Sequence, residues 1–250
     1  MALTIDFSGK VVLVTGGTKG VGRGIAQRFE DAGATVVVCA RKPVDDLPTG
    51  WQFFSADLRD GTAAFEMIDA VVAANGRLDV LVNNAGGSPP LDTATVAPRI
   101  TERLVQLNLL AAIYCSQQAN QHMQQQPEGG AIVNISSVCG SRPSPTTAAY
   151  GAAKAGLNNY TATTALEWAP KVRVNAVTAG MVRTEQAHLF YGDEAGIAAV
   201  GATVPLGRLA VPGEIGDVCV YLASPMASYV SGANVAAHGG GEPPSFLSAE

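Results

Sequence analysis

Tyr150 and Lys154 stand four residues apart in the stretch Tyr150-Gly151-Ala152-Ala153-Lys154, and Ser137 lies thirteen residues upstream of the tyrosine. The Ala-rich composition favours a helix, in which side chains four apart rise from one face, so a phenol and an ammonium would share a pocket. An ordinary tyrosine titrates at about 10 and is a poor proton shuttle at neutral pH; lowering it by roughly three units requires about 4 kcal/mol. One cation about 4 Å away, at an effective dielectric of about 20, supplies that much. Lys154 is therefore the right residue type, at the right spacing, to make Tyr150 a general acid and base near neutral pH. Ser137 follows the apolar run Ala131-Ile132-Val133-Asn134-Ile135, and its hydroxyl could hold a carbonyl oxygen beside that phenol. The five-residue pattern alone also recurs by chance on solvated helices, so its weight comes from the segments that accompany it.

The first of these is a strand, a glycine-rich turn and a helix. Val11-Val12-Leu13-Val14 is too apolar for an exposed strand and runs straight into Thr15-Gly16-Gly17-Thr18-Lys19-Gly20-Val21-Gly22. Val21, Ile25 and Phe29 then follow a helical period up to Gly33, and Thr35-Val36-Val37-Val38-Cys39 forms a second buried strand. In such a βαβ unit, backbone NH groups and a helix N-terminus can hold a pyrophosphate, because glycines let the phosphates approach the main chain. Trp51–Ser55 reads as a third strand, residues 62–74 as a helix ended by Gly76, and Arg77–Val82 as a fourth strand that delivers Asn83-Asn84-Ala85-Gly86 to the same edge. A long helix is expected over 97–125, a helix from Tyr150 to about Trp168, a strand over 172–177, and a last strand over 233–237.

The spacing Gly16, Gly20, Gly22, taken with Asn83-Asn84-Ala85-Gly86, Ser137 and Y-x-x-x-K, resembles the short-chain dehydrogenase/reductase family, including its 3-oxoacyl-[acyl-carrier-protein] reductase-like members. The likeness extends from Gly9-Lys10 to about Gly240. It implies a single doubly wound α/β domain over residues 1–250, with a mainly parallel seven-stranded sheet in the order 3-2-1-4-5-6-7 and helices on both faces. It also implies hydride transfer between a nicotinamide dinucleotide and a carbonyl or secondary alcohol. Asn108, Ser137, Tyr150 and Lys154 take the catalytic positions, Asn108 helping to hold a water against the lysine. The cofactor would lie against Gly16, Thr18, Lys19, Gly20, Val21, Gly22, Asp57, Leu58, Asn84, Ala85, Gly86, Tyr150, Lys154, Gly180, Val182 and Thr184. Asp57 occupies the position that binds the adenine amino group; from the residues alone it is equally a cap for the helix beginning near Thr62.

At the end of the second strand, family members that favour NAD usually carry an acid for the ribose 2′-hydroxyl, whereas Arg accommodates a 2′-phosphate. This chain has Ala40-Arg41-Lys42, with Lys19 as a second cation, which argues for NADP(H) over NAD(H). Asp45 and Asp46 are near enough in sequence to pair with Arg41 and Lys42 instead. Residues 185–204 resemble the family's substrate lid, with His188 more in keeping with an exposed bystander than a ligand. Two positions depart from the pattern: Ala179 stands where most members have Pro, freeing one φ angle in a loop, and His238 replaces the Asp before Gly-Gly. In relatives that last strand lies at a subunit interface, and the resemblance implies a homotetramer. Epimerisation or elimination on the same fold, or a non-catalytic cofactor scaffold, are the competing functions.

The totals agree with an enzyme of this kind. With 250 residues and 47% hydrophobic content the chain can bury one large core. Its 16 basic and 21 acidic residues give −5 without a basic cluster, so nucleic acid is not an expected partner. No apolar run near the N-terminus is long enough for a secretory or membrane segment, and Cys39, Cys115, Cys139 and Cys219 form no CxxC pair. A soluble, cytoplasmic protein with reduced thiols, no metal and a small-molecule substrate is the expectation.

Overall fold

The computed structural model describes residues 5–242. Seven parallel strands form one sheet in the order β3-β2-β1-β4-β5-β6-β7, the order expected. They are β1 (Val11–Thr15), β2 (Thr35–Ala40), β3 (Gln52–Ser55), β4 (Val80–Asn83), β5 (Gly130–Ser137), β6 (Val172–Ala179) and β7 (Asn234–Ala237). The central β1 and β4 are buried along their whole length because helices cover both faces of the sheet.

Successive residues of β1 point into opposite cores, as a period of two requires. Val12 and Val14 pack with Phe29 of α1 (Gly20–Asp31) and Ile215 of α8 (Pro212–Ala223). Val11 and Leu13 pack with Ile68 of α2 (Gly61–Asn75) and Met123 of α4 (Ala111–Gln125). Helices α1 and α8 approach closely through small residues: a Cβ at Gly24 would collide with Pro212, and one at Gly216 would lie 2.7 Å from Arg28. A buried amide network joins the middle strands to the second helical layer. Asn83 Nδ2 donates to Asn134 Oδ1 at 2.9 Å and to Ser116 Oγ at 2.8 Å, and Asn134 Nδ2 donates to Thr161 Oγ1 at 2.9 Å. Polar groups at that depth hold one arrangement, since any other leaves them without partners.

Because every strand runs the same way, Thr15, Ala40, Ser55, Asn83, Ser137 and Ala179 all end at one edge. Loops leaving such an edge form the crevice of a doubly wound sheet.

Five expectations change in detail. The third strand begins at Gln52, with Trp51 buried ahead of it, and the last at Asn234. Asp60, not Asp57, caps α2, its carboxylate accepting from Thr62 N at 2.9 Å. The helical stretch before β5 starts as α3 (Pro98–Val105) and is widened into a π-turn at Gln106–Leu110 before α4 begins. Ala179 is not in a loosened loop: it ends β6 in register with Ser137 on one side and Ala237 on the other, so strand pairing supplies the restraint that proline would have given.

Candidate active site

Tyr150 and Lys154 lie in the first two turns of α5 (Ala148–Glu167), and Ser137 is the last residue of β5. The Val138–Gly140 turn between them packs hard on α5: a Cβ at Gly140 would lie 2.8 Å from the Lys154 carbonyl carbon, and one at Gly151 2.8 Å from the Cys139 oxygen. Two glycines thus let the serine strand and the tyrosine helix close on one space. All three side chains line a cavity of about 730 Å³ at the sheet edge.

Lys154 is 4% exposed, and its ammonium donates to the Ile135 carbonyl at 2.7 Å while lying 5.7 Å from the centre of the Tyr150 ring. Burial lowers the Lys154 pKa from 10.5 to about 8. Burial also raises Tyr150, against the Ser137 hydroxyl, which works in the opposite direction. The ammonium is bound to a main-chain carbonyl, and withdrawal from water is the leading influence on both groups.

Asn108 is 1% exposed and sits in the π-turn. Its Nδ2 donates to Leu104 O and Gly87 O, both at 3.0 Å, and its Oδ1 accepts from Gly87 N at 2.7 Å. A Cβ on Gly86 would lie 2.6 Å from that Oδ1 and 3.5 Å from Lys154 Nζ. The amide therefore fixes the loop after β4 against the lysine, and it does not itself line the cavity. The extra residue of the π-turn turns it toward that loop.

The glycine turn between β1 and α1 lies at the other end of the cavity. Gly16 and Gly20 adopt φ of +63° and +56°, a region glycine enters without strain. A Cβ on Gly22 would collide with the Gly16 carbonyl and the Asn84 amide. Asn84 latches the turn, Nδ2 donating to Thr15 O at 2.9 Å and Gly16 O at 3.3 Å, while Thr15 Oγ1 accepts from the NH groups of Asn84 and Ala85 at 2.9 and 3.0 Å. A main-chain cradle at a helix N-terminus, opening on a long cavity, fits a dinucleotide diphosphate. Thr18, Lys19, Val21, Leu58, Ala85, Gly180, Val182 and Thr184 line the same cavity.

The chain matches the family described as Enoyl-(Acyl carrier protein) reductase over residues 16–242. It belongs to the short-chain dehydrogenase/reductase family. It is 35% identical over 235 residues to a 3alpha-hydroxysteroid dehydrogenase of Mediterraneibacter gnavus, covering 89% of this chain and 93% of that one. It is 33% identical over 245 residues to the 2-dehydro-3-deoxy-D-gluconate 5-dehydrogenase of Escherichia coli, covering 94% and 96%. Ligand-free aldohexose dehydrogenase of Thermoplasma acidophilum superposes with a TM-score of 0.88 at 30% identity, covering 94% of each chain. These relatives are named as dehydrogenases, and this chain is an oxidoreductase of the family.

Beyond the ends of β2 and β3 the cavity carries Arg41, Asp57 and Arg59. Asp46 pairs with Arg23, Nη1 to Oδ2 at 2.6 Å, so it is not the partner of Arg41. Among the described residues Arg41 makes no ion pair, and it is exposed. Asp57 is held by Arg59, whose Nε donates to Oδ1 at 2.9 Å, and this lowers the Asp57 pKa to about 2. Sequence reasoning passed over Arg59; a cation two residues beyond an acid at a strand end was the available signal.

Ala187, Ile197, Val204 and Leu209 form a small core of their own; the short helix α6 (His188–Tyr191) carries Phe190 and Tyr191 to the cavity, and α7 (Glu194–Ala202) follows it. His188 is exposed and lies outside the cavity lining, its ring against the Glu185 carbonyl at 3.0 Å. Arg142 also lines the cavity and is paired with Glu242. Gly180 must stay small, because its Cβ would lie 2.8 Å from His238. Among the described residues no cluster of His, Cys, Asp or Glu could hold a metal, the four cysteines are unpaired, and no helix is long and apolar enough to cross a membrane.

Proposed function

We propose that the protein is an NADP(H)-dependent oxidoreductase that interconverts a carbonyl and a secondary alcohol through Ser137, Tyr150, Lys154 and Asn108. The observation that carries this reading is that Ser137, Tyr150 and Lys154 share one cavity with the glycine turn and an unpaired Arg41. The dinucleotide would lie with its diphosphate at Gly16–Gly22, its 2′-phosphate at Arg41 and Lys19, its adenine at Asp57 and Leu58, and its ribose at Asn84–Gly86. Its nicotinamide end would lie at Gly180, Val182 and Thr184. When bound, the nicotinamide gives or takes the hydride.

Ser137 Oγ then orients the substrate oxygen, and Tyr150 Oη gives it a proton during reduction or takes one during oxidation. Lys154, with its pKa already near 8, is cationic at neutral pH and favours the phenolate left behind. Asn108 serves the resupply of that proton by fixing Gly86 and Gly87 beside the lysine. Phe190 and Tyr191 on the lid exclude water from the substrate end. We place the protein in the cytoplasm as a homotetramer acting on a small molecule, without nucleic acid or membrane partners.

The test is absorbance at 340 nm with NADPH and with NADH on a panel of ketones and secondary alcohols. Turnover with NADPH well above NADH supports the reading. Substrate conversion without net absorbance change would favour epimerisation or elimination, and NADH preference would reassign the cofactor.

A further inference from the structure

We infer that Glu185 is an internal counter-anion on the diphosphate seat, so that the dinucleotide must displace a carboxylate of the lid in order to bind. The inference rests on the cofactor reading above and adds a residue that sets cofactor affinity. Glu185 Oε1 accepts from the Gly20 NH at 3.0 Å across 165 residues of sequence. Gly20 is the first residue of the twelve-residue α1, so this NH has no acceptor inside its own helix. The end of a helix that presents such groups carries partial positive charge and attracts anions. Both residues line the main cavity, and the Thr184 methyl lies 3.6 Å from where a Gly20 Cβ would stand.

The Glu185 side chain is otherwise exposed and, among the described residues, makes no ion pair; the Gly20 NH is what holds it. Its main chain is held in place: Gln186 N donates to Thr184 Oγ1 at 3.3 Å, Ala187 N to Thr184 O at 3.0 Å, and the His188 ring meets the Glu185 carbonyl. A diphosphate oxygen seeking the Gly20 NH meets an occupied donor and a like charge. Binding therefore turns the Glu185 side chain out while its main chain stays held.

The experiment compares wild type, Glu185→Gln and Glu185→Asp by titration with NADPH, ADP and 2′-AMP. An exposed carboxylate at a helix N-terminus corresponds to roughly a two- to fivefold change in equilibrium constant. Glu185→Gln is expected to bind NADPH and ADP tighter by about that factor. Glu185→Asp, which keeps the charge but is one methylene too short to reach Gly20, is expected to gain part of it. Binding of 2′-AMP, which has no diphosphate, is expected to stay the same. Equal NADPH affinity in wild type and Glu185→Gln overturns the inference, as does an equal gain for 2′-AMP or an Asp variant identical to wild type. If none of the three proteins binds NADPH or NADH, the cofactor reading fails as well, and that result is distinct from binding without difference.

Discussion

Lys154 Nζ binds the Ile135 carbonyl at 2.7 Å and stands 5.7 Å from the centre of the Tyr150 ring, so the lysine is tied to the sheet before it serves the tyrosine. The anchor sets where the ammonium sits, one strand residue pair below Ser137. It also keeps a cation out of water, which has a measurable consequence for stability.

Burial lowers Lys154 from 10.5 to about 8, so the folded chain holds that proton less tightly than the unfolded one. The resulting penalty is full below pH 8, falls as pH rises from 8 toward 10.5, and is absent above it. Lys154→Met removes the titration. Its stability relative to wild type is expected to be greatest at pH 7 and to decline by up to about 3 kcal/mol by pH 10.5, on top of a constant term for the lost bond to Ile135. Urea unfolding of both proteins across this range checks it; a stability difference independent of pH would show that the lysine is not held in the way described.

Tyr150→Phe removes the proposed proton donor and leaves the ring in place. Turnover is expected to fall by about 10²–10⁴-fold while the dissociation constant for NADPH stays within about twofold. Steady-state rates and a fluorescence titration separate the two quantities. Retention of wild-type turnover in the Phe variant would remove Tyr150 from the mechanism.

Arg41→Ser takes away the cation proposed to meet the 2′-phosphate, which makes no ion pair among the described residues. The kcat/KM with NADPH is expected to drop by about tenfold or more, with NADH little changed, because a charge-assisted bond to a 2′-phosphate has no counterpart on a 2′-hydroxyl. An equal loss with both cofactors would place the effect in the strand end and not in 2′-phosphate binding.

Gly86→Ala puts a methyl group 2.6 Å from Asn108 Oδ1 and 3.5 Å from Lys154 Nζ. Either the Asn108 clamp on Gly87 or the lysine must shift, and kcat is expected to fall by at least about tenfold with a smaller change in thermal midpoint. Measuring both in one preparation tests whether the loop serves the site or only the fold.

Most strands were legible as short apolar runs, and their order as what the family resemblance implies; parallel strands joined by crossovers leave few topologies. Tyr150, Lys154, Ser137 and the glycine turn were legible for the same reason: each is tied to the end of one of those elements. The widening of the helix at Asn108 was not, since nothing in Leu107-Asn108-Leu109 distinguishes an α-turn from a π-turn until Gly87 offers the amide its partners. Glu185 was missed because its partner lies 165 residues away.

By itself the sequence determined which residue types could exchange a proton, their spacing along one helix, and the glycines that allow a main-chain cradle. Those are local properties, written in neighbours three and four positions apart. The tertiary structure decided where charges go: Lys154 to a strand carbonyl, Asp46 to Arg23 and Glu185 to Gly20. Charge pairing depends on which elements meet and how much water remains between them, and both are settled only when the layers close.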